Sequence, residues 1–435
     1  MDNVQCCLPR GVIDKIGLKA VTQKNIEAVI LQTLSERGYQ LILPASIEFE
    51  DIIALGIGDN LIGSSFRFDD WETGRMLVIP PDITPQIARI SSTRLKNISY
   101  PHRLSYSGSV LRHSERQSGR GREIYQAGAE IIGGASINYD IEILLIVVKL
   151  AEKLGLENFT INIGHMGICQ GVLNECCVSL SDYNNLKKAI ALKDKTIIRS
   201  IVDSINISDA IANQLMALTR MFGGIEILDF ALAHHWNDQT QKALENLKAI
   251  LNALSNAGVD VERYCNFDLG DIRGLGYHTG ITFEGFTQNS GDALFSGGRY
   301  DTLMSKYGAA MPATGFTCDV TGVATILSFK DRGVLCSTDL ALMGNLSTNH
   351  SLADEVRRSG LSVVVEPSDW PYSEAIKYAH EHNISFILYP IDLQKCVLKC
   401  LLANQDDEWL FCVPILDCCE IVNIVFNSKE SHLYG

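Results

Sequence analysis

The segment EIYQAGAEIIG, Glu123 to Gly133, constrains this chain most. Its alternation has a period of two, so Gln126, Gly128 and Glu130 fall on one face of a strand and Tyr125, Ala127, Ala129 and Ile131 on the other. Such a strand must sit in a sheet with an apolar layer beneath it. The plain account of the second face is a solvated polar surface. A glycine between an amide and a carboxylate, however, opens space above the sheet where one ligand would meet both groups. YHTGITFEGF, residues 277 to 286, repeats the device: His278, Gly280, Thr282 and Glu284 share one face, and Tyr277, Ile281 and Phe283 the other. Arg112 in VLRHSER and Arg273 in DIRGLG stand near the ends of these strands and suit a carboxylate or phosphate by forked hydrogen bonding. The set fits a small zwitterion with a polar side chain.

The rest of the chain supplies the scaffold. At 435 residues, with 46% hydrophobic and 20% charged residues, it has material for several cores. Residues 22 to 37 read as an amphipathic helix stopped by Gly38, followed by a strand YQLILP. RMLVIP reads as a strand leading into a helix with Thr84 as N-cap and Pro85 at its first position. Strands over 103–112 and 123–132, joined by RQSGRGR, make a long hairpin, then a helix over 140–154 and the strand FTINIG follow. From about 166 to 262 the period is helical. Sheet character returns with YHTGITFEGF and a turn at SGGRYD, up to about residue 326. From 332 the order is helix, strand, helix, strand, which predicts a small α/β domain with a parallel sheet.

Several function classes are disfavoured. The longest apolar stretch, around Ile141 to Leu150, carries Glu142 and Lys149 and is far short of a membrane span of roughly 20 residues. The first residues, MDNVQCCLPRG, contain no charged segment followed by an apolar run, so the expectation is a cytoplasmic protein. Thirteen cysteines, an odd number, are then expected as reduced thiols, and their spacing offers no zinc site. LGIGDN lacks the third glycine of a dinucleotide fingerprint, and no phosphate-binding G-x-x-x-x-G-K-[ST] loop occurs. A net charge of −14 opposes nonspecific binding to a polyanion.

These motifs have a recognisable source. VLRHSERQSGRGREIYQAGAEIIG resembles motif 2 of histidyl-tRNA synthetase, ILPASIEFED resembles its motif 1, and IRGLGYHTGITFEGF and SGGRYDTLMSKYG resemble its two histidine-specific motifs. The resemblance covers about residues 8 to 326. It implies an α+β fold of the class II aminoacyl-tRNA-synthetase type, an antiparallel sheet with flanking helices over 1–326, with a helical insertion at about 166–262 and a separate α/β domain at 332–435. It further implies that Asp82, Thr84, Gln126 and Glu130 hold the amino group and imidazole of histidine, with Arg112 and Arg273 on the carboxylate side. Tyr277 matches the first of the family's paired tyrosines, and His278 stands where the second would be.

The departures concern ATP. GFTCDVTGV puts Gly322 where motif 3 of the synthetase has its phosphate-binding arginine and Thr321 at the preceding acidic position; Ser114 replaces a motif 2 glutamate. PPDITPQIAR, QAGAEIIG and GHMGICQGVL resemble the regulatory subunit of ATP phosphoribosyltransferase, a synthetase paralogue serving histidine biosynthesis. That resemblance implies no catalytic residues, no cofactor and no metal. It implies a short-form catalytic subunit as partner in a hetero-octamer of four plus four, L-histidine as feedback effector, self-association as a dimer, and no membrane or nucleic-acid partner. Residues 331 to 435 carry seven Lys or Arg against fifteen Asp or Glu, a net of −8, whereas an anticodon-binding module should be basic. The alternatives are an active histidyl-tRNA synthetase, which retained Arg112 and Arg273 favour, and a histidine-binding scaffold unrelated to phosphoribosyl transfer.

Overall fold

The computed structural model describes residues 8–57, 59–113, 121–205, 207–272, 277–288 and 290–330, and beyond these 340–343, 353–354, 357–358, 362–366, 371–382, 384, 386–390, 395–400 and 410–414. The chain divides into two compact units, residues 1–15 with 22–330, and residues 16–21 with 331–435.

The first unit contains strands β1 (Gln40–Ile42), β2 (Glu48–Phe49), β3 (Phe66–Asp69), β4 (Met76–Ile79), β5 (His102–Leu111), β6 (Glu123–Ile132), β7 (Thr160–His165), β8 (Phe222–Gly223), β9 (Cys265–Asp268), β10 (Ile281–Phe286), β11 (Phe295–Arg299) and β12 (Ala313–Asp319). Nine of them form one sheet in the order β1-β5-β6-β12-β11-β10-β7-β9-β8, and β2, β4 and β3 form a small antiparallel sheet. The six strands from β5 through β7 in that order pair antiparallel throughout, while β1 runs parallel to β5 and β9 parallel to β7. This is the expected class II synthetase-like sheet of an α+β fold. Strands before and after the helical stretch meet directly, because β10 lies against β7.

The alternation of β6 decides which side of the sheet becomes core. Ala127, Ala129 and Ile131 are fully buried beneath the helix Ile137–Lys153, whose Ile143, Leu144, Ile146, Val147 and Leu150 share their cluster. Each such aliphatic side chain contributes about 1.5–3 kcal/mol on burial. The helix begins three residues before its predicted start because the Ser136 side chain accepts from the Asn138 amide at 3.2 Å, a cap that apolar periodicity does not register. On the opposite side of the sheet, the helix Thr84–Thr93 packs Ile83 and Ile87 onto Leu104, Tyr106 and Ile132 and leaves the remaining strands open to a cleft.

Three local expectations change. The helix starts at Thr84 with Ile83 at the cap, so the Thr84 hydroxyl is not a capping group; it is turned into the site instead. SGGRYD is not a turn, because Phe295–Arg299 pairs on both edges. YHTGITFEGF becomes strand only from Ile281, and that frees Tyr277 from the face that strict alternation assigned it. Between β7 and β9 the described chain is helical apart from β8, with the long helix Asp238–Asn256 burying Leu244, Leu247, Ile250 and Leu251.

In the second unit, β13 (Leu340–Met343), β14 (Val363–Glu366), β15 (Phe386–Pro390), β16 (Lys395–Cys400) and β17 (Leu410–Pro414) form a sheet in the order β14-β13-β15-β16-β17. The first three strands are parallel as expected, but β15, β16 and β17 are antiparallel, so the sheet is mixed. The helix Tyr372–Glu381 buries Ala375 and Ala379 in a small cluster with Ala341 and Ile387.

Candidate functional site

The strand register builds one continuous floor. Gln126, Gly128 and Glu130 of β6 lie opposite Asp319, Thr317 and Gly315 of β12, and the alignment continues through Ser296 and Gly298 to Thr282 and Glu284. The polar face of β6 is no solvated surface: Gln126 and Glu130 are 4% and 1% exposed. Gly315 is required where the Glu130 carboxylate crosses β12, since a Cβ there would stand 1.6 Å from Glu130 Oε2.

Glu130 is the most enclosed ionisable group of the site. Thr84 Oγ1 donates to its Oε1 at 2.7 Å, Tyr106 reaches the same oxygen at 3.5 Å, and the Tyr300 hydroxyl donates to Oε2. Burial pushes its carboxyl up to about 8, against the pull of these hydroxyls and with help from the nearby Asp82 charge. Burial likewise lifts the tyrosine hydroxyls of Tyr106, Tyr277 and Tyr300 well above their usual range, so they stay protonated and remain donors.

Asp82, 1% exposed, lies on the segment entering the helix Thr84–Thr93. Tyr277 donates to its Oδ2 at 3.1 Å, and Arg112 stands 3.8 Å from its Oδ1 while donating through Nε to the Pro81 carbonyl at 2.6 Å. Burial raises the Asp82 carboxyl, and the Arg112 charge opposes that rise. Beside it, Gln126 Oε1 is buried without a hydrogen-bond partner, and so is Nδ1 of His278. Asp82, Thr84, Arg112, Gln126, Glu130, Tyr277 and His278 therefore come together around one volume. Arg273 and Ser114 lie outside the described residues.

That volume has two parts. A small cavity of about 20 Å³ is bounded by Thr84, Glu130, Tyr277, His278, Tyr300 and Gly315. It adjoins an open cleft of about 410 Å³ whose lining includes Asp82, Arg112, Gln126 and His278, and also Asp268, Asp271, Glu284, Asp292 and Asp319. Arg112 is its one Lys or Arg among the described lining residues. Gly322, at the position expected of a phosphate-binding arginine, donates its amide to Asp319 Oδ1 at 2.8 Å, so an acidic side chain occupies that corner.

A model of the histidyl-tRNA synthetase family matches residues 14–323. ATP phosphoribosyltransferase regulatory subunits match more of the chain. That of Geobacter sulfurreducens is 40% identical over 88% of this chain and 87% of its own length, and that of Syntrophotalea carbinolica 39% identical over 95% and 97%. The chain belongs to the ATP phosphoribosyltransferase regulatory subunit family. The Syntrophotalea relative spans nearly the whole chain, so this family includes members with a comparable region beyond the synthetase-like unit. A solved structure described as an ATP phosphoribosyltransferase regulatory subunit/histidyl-tRNA synthetase from Bacillus halodurans superimposes with a TM-score of 0.77 at 27% identity, covering 87% of this chain and 97% of that one. Histidyl-tRNA synthetase from a Nostoc species shares the fold, with a TM-score of 0.76 at 18% identity over 97% and 99% of the two chains.

Within this regulatory-subunit fold, two site residues escaped sequence reasoning. Tyr106 was not singled out in the sequence and Tyr300 entered only as part of the SGGRYD turn, yet both direct hydroxyls at Glu130. Tyr300 is positioned by its neighbour Arg299, which is 9% exposed and bonds Asp140 at 2.9 Å and the carbonyls of Gly134 and Ser136. That anchor fixes the end of β11 and so aims Tyr300. Among the described residues, no cluster of three His, Cys, Asp or Glu has metal-site geometry, and no helix is long and apolar enough to cross a membrane.

Proposed function

We propose that this chain is a cytoplasmic, non-catalytic regulatory subunit that binds L-histidine and, with a short-form catalytic subunit, makes ATP phosphoribosyl transfer active and subject to feedback inhibition. The observation that carries the binding half is the unpartnered carbonyl of Gln126 beside buried Asp82 and Thr84, next to the enclosed carboxylate of Glu130. An ammonium group would satisfy Gln126 and Asp82 together, with Thr84 alongside. Each charge-assisted hydrogen bond would contribute about 1.5–3 kcal/mol. Glu130 faces the far end of the ligand and accepts an imidazole N–H. Arg112 meets the ligand carboxylate, with Arg273 as its predicted companion, and Tyr277 orients Asp82.

The second half rests on the family. Histidine occupancy shifts the assembly between active and inhibited arrangements through a coupling of roughly 1–3 kcal/mol. The subunit dimerises and joins four catalytic chains in a hetero-octamer of four plus four. ATP is not its ligand: a triphosphate entering the outer cleft would meet five carboxyl side chains, with Gly322 in place of the expected arginine.

Calorimetry with L-histidine tests binding, and the absence of heat and of competition by histidine at millimolar concentration would overturn the site. Mixing the chain with a short-form catalytic subunit should yield phosphoribosyl transfer that histidine suppresses; activity unaffected by this chain would overturn the regulatory reading. Pyrophosphate exchange with ATP and histidine should be absent, and its appearance would restore the synthetase alternative. Light scattering of the mixture should give the mass of an octamer.

A further inference from the structure

Arg112 stands one residue beyond the end of β5, where the ladder with β6 no longer holds the chain, because the last pair is Leu111 with Glu123. Its backbone is fixed from outside the ladder. The Arg112 amide donates to the Arg122 carbonyl at 2.8 Å, and the Arg122 amide donates in turn to the Gly11 carbonyl at 2.6 Å. The neighbouring His113 amide donates to the Ser64 carbonyl at 2.7 Å. Residues 11–15 thus form a strap against the open end of the β5–β6 hairpin.

The strap has a second anchor. Lys15 donates to the Thr321 hydroxyl at 3.3 Å and to the Gln23 side-chain oxygen, and Thr321 also accepts from the Tyr125 amide at 3.0 Å. Little apolar burial holds the strap between its anchors, since Ile13 is 62% exposed and Val12 only partly buried. The first anchor requires glycine. Gly11 has a φ of +81°, and a Cβ there would stand 3.0 Å from Arg122 Cγ and 3.2 Å from the very amide nitrogen that its carbonyl binds. A β-branched residue at this position meets backbone strain and crowding together.

We propose that Gly11 is a positioning residue of the site: its left-handed backbone aims its carbonyl at Arg122, and Arg122 in turn places Arg112 to meet the carboxylate of the bound amino acid. The assignment rests on the reading of Arg112 as the carboxylate partner in a histidine site. The Arg112 side chain already donates from Nε to the Pro81 carbonyl at 2.6 Å, so its fork has one orientation, and a shift of its backbone turns that fork out of line with a carboxylate. Hydrogen bonds weaken steeply with misalignment. Gln126 and Glu130 lie within the paired part of β6 and are held independently of the strap. Loosening Gly11 therefore acts on one end of the ligand.

The test compares L-histidine with L-histidinol, which keeps the ammonium and imidazole and replaces the carboxylate by a hydroxymethyl group, in calorimetry on the full chain. Wild type should prefer L-histidine by about tenfold or more, the worth of a charge-assisted hydrogen bond. In Gly11→Val the preference should fall to about threefold or less, while L-histidinol affinity stays within about threefold of wild type. Gly11→Asn tolerates the left-handed backbone but keeps the Cβ, and it should lie between the two. Arg112→Gln should abolish the preference, and Gly11→Val added to it should lower L-histidine affinity no further, because the two residues act in series. A preference unchanged in Gly11→Val, an equal weakening of both ligands, or additivity with Arg112→Gln overturns the proposal. Should melting curves show Gly11→Val unfolded at the temperature of titration, Gly11→Asn carries the test, and a wild-type preference in it overturns the proposal. Failure of wild type to bind L-histidine removes the histidine site and this assignment together. Binding of both ligands alike by wild type removes the carboxylate role of Arg112 and, with it, that of Gly11.

Discussion

The inner cavity and the outer cleft share one sheet floor yet are built on opposite principles. Around Glu130 a single carboxylate is surrounded by hydroxyl donors, and each member of the group is almost wholly buried. Along the outer cleft, carboxyl side chains gather in a wide space that solvent reaches. A site that must recognise a small polar ring needs the first arrangement, in which low dielectric makes every hydrogen bond selective. A site that must hold a polyphosphate needs clustered cations, and among the described residues Arg112 is the one Lys or Arg that lines the second arrangement. Among the described residues, the enclosed end of the site is thus a hydroxyl-ringed carboxylate and the open end a mainly acidic surface.

The most severe way to break this contrast is at Glu130. At pH 9, where the Glu130 carboxyl is ionised, Glu130→Gln keeps an acceptor for Tyr300 and Thr84 but removes the charge, and it should weaken L-histidine binding by about 100-fold, near the upper value of a charge-assisted hydrogen bond. Calorimetry reads the loss directly. Because the variant no longer buries a charge, its melting temperature at pH 8 should equal or exceed that of wild type; a lowered one would mean the carboxylate holds the fold together.

Next in size are the hydroxyls. Tyr300→Phe and Thr84→Val each remove one donor to Glu130, and each should cost about threefold to tenfold in histidine affinity. Both should also raise the Glu130 carboxyl further. The two substitutions act on one carboxylate, so the double variant should deviate from additivity. Simple additivity would show that Glu130 is not their common target.

How much of this was visible in the residues follows from the same geometry. The faces of β6 were legible because a pleat has a strict period, and the site side could be chosen from the glycine between Gln126 and Glu130. The side assigned to Tyr277 was not, since 277–280 is held by isolated bonds such as the Thr279 amide to the Arg299 carbonyl at 2.8 Å rather than by a continuing ladder. Thr84 read as a cap because Thr-Pro before a helical period usually is one; only the tertiary position of Glu130 claims its hydroxyl. Tyr106 and Tyr300 stayed hidden because an aromatic in or just after a strand gives no sign of where its hydroxyl ends. The parallel pattern of the second unit was legible as far as β15, and the antiparallel continuation fell in a stretch without helical punctuation.

A smaller effect separates the groups by pH. Glu130 titrates near 8 when folded and near the usual carboxylate value of about 4.3 when unfolded. Between these values the folded chain holds a proton that the unfolded chain has released, so stability declines as pH rises through the window. His278 and His165 have the opposite sign: burial lowers each to about 4, and the unfolded chain takes up protons that the folded chain refuses as pH falls from about 6.5. The melting temperature should therefore fall off on both sides of neutrality. Relative to wild type, Glu130→Gln should gain a few degrees between pH 5 and pH 8, and an identical slope in the two proteins would mean that Glu130 titrates normally.

The smallest effect belongs to the outer cleft. Asp292 bounds the open volume but not the inner cavity, and it is exposed. A charge placed there acts on the ligand through screened solvent, where an ion pair is worth about 0–1 kcal/mol. Asp292→Asn should therefore change L-histidine affinity by about twofold at most at low salt, and by less at 0.5 M salt. The contrast with Glu130→Gln is what gives this value meaning. If neutralising Asp292 altered affinity by tenfold, bound histidine would extend into the outer cleft, and the division between a recognising pocket and an electrostatically closed nucleotide half would fail.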